Sequence, residues 1–120
     1  MKVETQKIGK ALVVRCGGEL DMRTAPQFRQ EIEEKLNNFE TILSLVLNFA
    51  DVTFVDSSGL GVILGRYKKM AQRGGQVVLV NVPAQVRKVF ELSGIFKIIA
   101  HYDSEQEALR LARGRIGIHA

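Results

Sequence analysis

Between Asp56 and Arg66 the chain reads Asp-Ser-Ser-Gly-Leu-Gly-Val-Ile-Leu-Gly-Arg, a strand end feeding a glycine-punctuated helix start. In open α/β sheets that junction is where ligands meet the fold. Three chemistries compete for it. Gly59 and Gly61 open a dinucleotide-type GxGxxG fingerprint, but Leu64 fills the third glycine position and Asn81, not an acid, follows the next strand at Val80. A Walker A loop is excluded because no Gly-Lys-Ser/Thr occurs in the chain. A serine nucleophile at Ser57 or Ser58 lacks the GxSxG elbow, and the only histidines, His101 and His119, offer no Ser-His-Asp arrangement. Glu19 and Asp21 point the same way on an extended segment, yet nothing supplies the pKa-raising pocket that a catalytic carboxylate pair needs. The remaining chemistry makes a serine the acceptor of a phosphoryl group. A helix N-terminus carries free N–H groups and partial positive charge, so the fold tolerates a phosphate there. About −1.5 to −2 charges then arrive beside Asp56 and repel an acidic or closely apposed partner surface. Plain N-capping is the bland alternative for both serines. A nucleotide-binding or nucleotide-hydrolysing module using the Gly59-to-Gly65 turn is the cross-class one.

The elements that position this segment follow from pattern. Ala11 to Arg15 is a β-branched run ending at Gly17 and Gly18, with Glu19, Leu20 and Asp21 after it, which predicts one or two early strands. Thr24 with Gln27 reads as a capping box, Pro26 sits in the first turn, and Phe28, Ile32 and Leu36 recur at helical spacing. Leu45 to Phe49 predicts a strand buried on both faces, and Val52 to Val55 a second short run. Ser57, Ser58 and Gly59 supply turn and cap chemistry for a helix carrying Ile63, Tyr67 and Met70, stopped at Gly74 and Gly75. Gly59, Gly61 and Gly65 are read as close-packing positions, and Arg66, Lys68, Lys69 and Arg73 as a solvated helix face. Val77 to Val80 is a buried strand, Pro83 to Gly94 a third helix, and Ile95 to Ala100 a last strand. Ser104 with Glu107 caps a fourth helix, and Gly114 to Ala120 reads as a frayed tail. The expected class is α/β, in the order β-β-α-β-α-β-α-β-α.

Composition narrows function further. The 120 residues are 46% hydrophobic and 25% charged, the balance of one globular domain. Cys16 is the single cysteine, which excludes an internal disulfide and Cys-rich zinc sites, fits a reducing cytosolic setting, and reads as a small core residue. No apolar run approaches a membrane span and the N-terminus lacks a secretory h-region. The net charge of +4 is interleaved with acids except between Arg66 and Lys88, so direct nucleic-acid binding is not expected. No metal site is expected.

The run Phe54-Val55-Asp56-Ser57-Ser58-Gly59-Leu60-Gly61-Val62-Ile63-Leu64-Gly65-Arg66-Tyr67-Lys68 resembles the phosphorylation-site segment of bacterial anti-sigma-factor antagonists, single-domain STAS proteins. Gly18-Glu19-Leu20-Asp21 resembles the family's first characteristic turn, and Leu92 to Ile99 its segment after the third helix. The likeness spans nearly the whole chain and is closest to the sporulation branch, antagonists of the anti-sigma factor that holds the forespore sigma factor. It implies one STAS domain over residues 1–120, with a mixed sheet of four to five strands, about four helices and a flexible tail at 114–120. It also implies a cytoplasmic, non-enzymatic regulator without a cofactor. Its partners would be an anti-sigma factor with serine kinase activity, bound by the unphosphorylated form, and a serine phosphatase that resets the cycle. Carried over by position, Ser57 is the phosphorylated residue. Ser58, Asp56, Gly59 and Gly61 form the surrounding recognition surface, with Glu19 and Asp21 as contacts from the adjacent loop. Met22, Arg23 and the tail arginines Arg110, Arg113 and Arg115 depart from the pattern of close relatives and bear on partner choice. A STAS subunit serving a different stress-signalling kinase is the alternative within the family.

Overall fold

A computed structural model describes residues 1–117 of the chain, with side chains to Leu111. Five strands, β1 (Lys2–Ile8), β2 (Ala11–Leu20), β3 (Ser44–Val55), β4 (Gln76–Val80) and β5 (Ala100–Tyr102), form one mixed sheet in the order β1-β2-β3-β4-β5. Four helices, α1 (Ala25–Asn38), α2 (Ser57–Gln72), α3 (Ala84–Ser93) and α4 (Glu105–Gly117), complete the expected β-β-α-β-α-β-α-β-α sequence. β1 pairs antiparallel with β2, and every other pairing is parallel.

Local differences from the sequence reading have physical causes. Of the one or two early strands expected within 11–21 there is one, β2, because register shifts between Arg15 and Gly17 and between Gly18 and Glu19 bend it without ending it. Its antiparallel neighbour comes from Lys2–Ile8, where half-buried Val3 and Thr5 alternate with charged residues in the period of an edge strand. The two apolar runs at 45–49 and 52–55 fuse into β3, since β2 continues beside it as far as the Leu20–Val55 pair. Ile95–Lys97 forms a single 3-10 turn after left-handed Gly94, and the last strand begins only at Ala100. Helix α4 runs past Gly114 to Gly117, into the stretch expected to be tail, and residues 118–120 lie outside the described ones.

A monotonic order of parallel strands joined by right-handed crossovers puts all the crossover helices on one face. The main core accordingly joins Phe28, Ile63 and Phe90 of α1, α2 and α3 to Leu12, Leu45 and Leu79 of the sheet. Phe49 at its centre meets Phe28 edge-on at 6.4 Å and Phe90 at 5.8 Å. Cys16 belongs to this core. Its Sγ donates to the Asn48 carbonyl at 3.3 Å, and burial pushes the thiol pKa up, so the thiolate needed for redox chemistry is suppressed.

The opposite face, Val13, Val46, Val78 and Val80, is covered through Ala108 of α4. Ser104 Oγ accepts the Glu107 N–H at 3.1 Å, the cap the sequence predicts. Arg15 Nε and Nη2 then donate to the two oxygens of Glu105 at 2.8 Å each, and Asn48 Nδ2 adds a third bond at 2.6 Å. The Arg15 guanidinium holds the Glu105 carboxyl below its ordinary pKa. Glu105→Ala is expected to lower stability by about 1 kcal/mol in urea unfolding, discounted for the exposed edge of Arg15. Because the folded-state pKa is depressed, that contribution is present above the ordinary carboxylate pKa and is lost as pH falls through the folded value.

Candidate partner-binding site

The register of β2 and β3 assembles the site. Leu20 and Val55 are the last pair, and the Asp56 N–H donates to the Leu20 carbonyl at 3.2 Å. The turn after β2 and the start of α2 therefore emerge side by side. Asp56, extended at φ −103°, is the N-cap of α2: its Oδ1 accepts the Gly59 N–H at 3.1 Å. Its other oxygen accepts the Met22 N–H at 3.2 Å, tying the two segments together. The sequence assigned this cap to Ser57, Ser58 and Gly59. Aspartate takes it because pairing stops at Val55, so residue 56 is the last extended position and both serines fall inside the first helical turn. Ser57 is exposed and Ser58 half-buried, and among the described residues neither hydroxyl nor either N–H has a hydrogen-bond partner. Those N–H groups are the free donors of a helix N-terminus.

The neighbouring turn is built around Asp21, which is buried. Its Oδ1 accepts the N–H groups of Arg23 and Thr24 at 2.9 and 3.2 Å, and its Oδ2 accepts from Arg23 Nη2 at 2.9 Å. The same guanidinium reaches Glu19 Oε2 at 3.0 Å. The expected Thr24–Gln27 capping box does not form. Thr24 Oγ1 is committed backwards, accepting the Asp21 N–H at 2.9 Å and donating to the Glu19 carbonyl at 2.7 Å. The hydrogen bond from Arg23, helped by two backbone N–H groups, pulls the Asp21 pKa down to about 2. Arg23→Ala is expected to return that pKa towards the ordinary value of 3.8, measured by carboxyl-carbon NMR titration. With the folded pKa depressed, the ionised carboxylate orders the turn above the ordinary value and loses hold as pH falls towards 2; in the variant the loss comes at higher pH.

The seven residues singled out from sequence thus meet at one edge, in different roles. Glu19, Ser57 and Gly61 are exposed and Ser58 is half-buried, whereas Asp21 and Asp56 use their carboxylates internally. Gly59 is buried: a Cβ there would stand 2.7 Å from the Leu20 carbonyl oxygen and 2.9 Å from Val55 Cγ1. Close packing therefore explains Gly59 alone. At Gly61 and Gly65 a Cβ would meet nothing within 4 Å, and these positions floor an open groove of about 430 Å³ between α1 and α2.

The solvated basic face expected on α2 holds for Lys68 and Lys69, which are exposed, but not for the arginines. Arg66 is only 4% exposed and pairs with Glu33 of α1 at 2.8 Å. Arg73 Nη2 donates to the Leu36 carbonyl at 2.8 Å and its Nη1 to that of Ile42 at 3.3 Å, so it closes the end of α1. The signal for Arg66 was its spacing, three residues after Ile63 and four before Met70, in one buried stripe. Met22, 74% exposed beside Asp56, was legible only as a departure from relatives. His101 stacks on Phe96 at 4.0 Å. Among the described residues no group of three His, Cys, Asp or Glu side chains could hold a metal, and no helix is long and apolar enough to cross a membrane.

Comparison with known proteins matches residues 2–108 to the STAS domain. The anti-sigma F factor antagonist of Paenibacillus polymyxa is 38% identical over 109 residues, covering 91% of this chain and 92% of the relative. The anti-sigma factor antagonist SpoIIAA in its unphosphorylated form superposes with a TM-score of 0.81 at 31% identity, covering 94% of this chain and 97% of that one. The phosphorylated form of the Bacillus cell fate determinant SpoIIAA gives 0.72 at 29% identity, covering 93% and 100%. With sequence and fold agreeing over nearly its full length, the chain belongs to the STAS family of anti-sigma factor antagonists, regulatory binding proteins rather than enzymes.

Proposed function

We propose that this chain antagonises an anti-sigma factor by partner switching. The unphosphorylated form binds an anti-sigma factor that is also a serine kinase, and so releases the sigma factor held by it. Transfer of the γ-phosphoryl group of ATP to Ser57 ends the complex, and a serine phosphatase restores the starting state. The observation that carries this reading is Ser57 itself, exposed in the first turn of α2 with the helix N–H groups open beside it. A phosphate there is tolerated by the helix end, while its charge adds to that of Asp56 at the surface a partner must approach. The relative named for the anti-sigma F factor and the structures of SpoIIAA in both forms support this assignment, and with it a role in sporulation and a cytoplasmic setting. Glu19, Ser57, Ser58 and Gly61 form the contact surface, with Asp21, Asp56 and Gly59 holding it in shape.

Nucleotide binding through the Gly59-to-Gly65 turn draws no support from the geometry, because the Gly59 N–H is already taken by Asp56 and Gly59 is packed under Leu20. The test is mass spectrometry after incubation with ATP and the anti-sigma kinase of the same genome. One phosphoryl group mapped to Ser57, and absent from Ser57→Ala, is the expected result. Incorporation into the variant would move the acceptor to Ser58 or elsewhere. Absence of both modification and complex formation would reject the switch.

A further inference from the structure

The groove between α1 and α2 contains a buried cation with unmet hydrogen-bonding capacity. Arg66 lines it and is almost fully enclosed, yet among the described residues its Nε and Nη1 have no aligned acceptor. Glu33 Oε1 stands 2.8 Å from Nη1, close enough for an ion pair but off the hydrogen-bond axis. Folded proteins leave few buried donors in that condition, and those they leave ask for an explanation. Arg29 lines the same groove from α1, exposed, four residues before Glu33. Among the described residues lining the groove the charged ones are Arg29 and Arg66, and Glu33 compensates Arg66, which leaves one positive charge. Below them the floor is bare backbone at Gly61 and Gly65, and Ser58, whose hydroxyl has no partner among the described residues, closes the end. Glycine within a helix is unfavourable compared with alanine, and at these two positions internal packing does not require it.

We infer that this groove receives an acidic side chain, Asp or Glu, of the protein partner, seated over Gly61 and Gly65 between Arg29 and Arg66. The inference rests on the function proposed above and specifies how its surface recognises the partner. A single negative charge matches the single uncompensated positive one. The two arginines supply positive charge and N–H donors on both sides of the groove, which is what a carboxylate accepts. Ser58 is adjacent in sequence to Ser57, so a phosphoryl group on Ser57 adds negative charge at the end of the groove, opposing a carboxylate within it.

The test is calorimetric titration of the unphosphorylated protein with the anti-sigma factor of the same genome, with thermal melts of every variant. Arg29→Glu, at an exposed position, is expected to weaken binding by about tenfold or more, while Arg29→Lys, which keeps the charge, stays within about threefold. Gly65→Leu fills the trough and is expected to lose about tenfold while melting no lower than the parent. If the parent binds tightly and both Arg29→Glu and Gly65→Leu bind as tightly, the acidic occupant is overturned and the function stands. Equal losses in Arg29→Lys and Arg29→Glu would overturn it too, since shape rather than charge would be read. A parent that does not bind overturns the function and this inference together.

Discussion

Gly59→Ala is expected to destabilise the protein by about 2–3 kcal/mol, whereas Gly61→Ala and Gly65→Ala, on the same helix, are expected to stabilise it by about 0.5–1 kcal/mol each. The contrast comes from what each new methyl group meets. At position 59 it lands 2.7 Å from the Leu20 carbonyl oxygen and 2.8 Å from Leu20 Cγ, at the point where β2 and β3 make their last pair. Backbone on one side and core on the other leave no flexible end to yield, so strand and helix must separate. At 61 and 65 the methyl group enters open space, and only helix propensity changes. Urea midpoints for the three variants settle the point. A Gly59→Ala midpoint equal to the parent's would mean that α2 does not sit this close to β2.

Ser57→Asp is expected to weaken binding to the anti-sigma factor by about a hundredfold or more, equivalent to about 2.7 kcal/mol, while leaving the unfolding midpoint within about 0.5 kcal/mol of the parent. A carboxylate in the first turn of α2 gains from the open N–H groups there and loses from its neighbour Asp56, so the fold is nearly indifferent. The partner is not, because the new charge stands on the approach surface without a cation assigned to it. Ser57→Ala is expected to bind within about threefold of the parent, since among the described residues the Ser57 hydroxyl has no hydrogen-bond partner whose loss could disturb the site. Surface-plasmon measurements on both variants against the same immobilised anti-sigma factor make the comparison. Equal affinity of Ser57→Asp and parent would remove electrostatic repulsion as the means of release.

How far sequence carried the reading depended on whether a signal was local. Val77–Val80, with Gly74 and Gly75 just before Gln76 on one side and Asn81 on the other, lies within the strand observed. Ser104 with Glu107 marked the start of α4 because the cap needs only three residues of neighbouring chain. The segment Asp56-Ser57-Ser58 offered three cap residues in a row, and the choice among them depends on where β3 stops pairing, a fact stored in β2. Thr24 likewise had every attribute of a cap, but the buried Asp21 claimed its hydroxyl. The burial of Arg66 was the hardest to foresee. An arginine on a helix is ordinarily a surface residue, so residue type outweighed its place in the Ile63–Met70 stripe, and the approach of α1 with Glu33 encloses it. The residues assigned to the proposed contact surface stood out in the sequence one by one, while their arrangement side by side was set by a parallel pairing between segments far apart in the chain.

The carboxylate of Asp56, shared between the Gly59 and Met22 N–H groups, has a consequence for anyone who wishes to re-address this protein to another partner. The turn after β2 and the first turn of α2 are fastened to one another, so neither is an independent module. Transplanting Glu19–Thr24 alone from a relative would alter the backbone that receives one half of the Asp56 bridge. Transplanting the serine segment alone would alter the other half. On the proposed reading the contact surface spans this pair of segments, and a chimera that keeps its stability while changing its allegiance must exchange both at once.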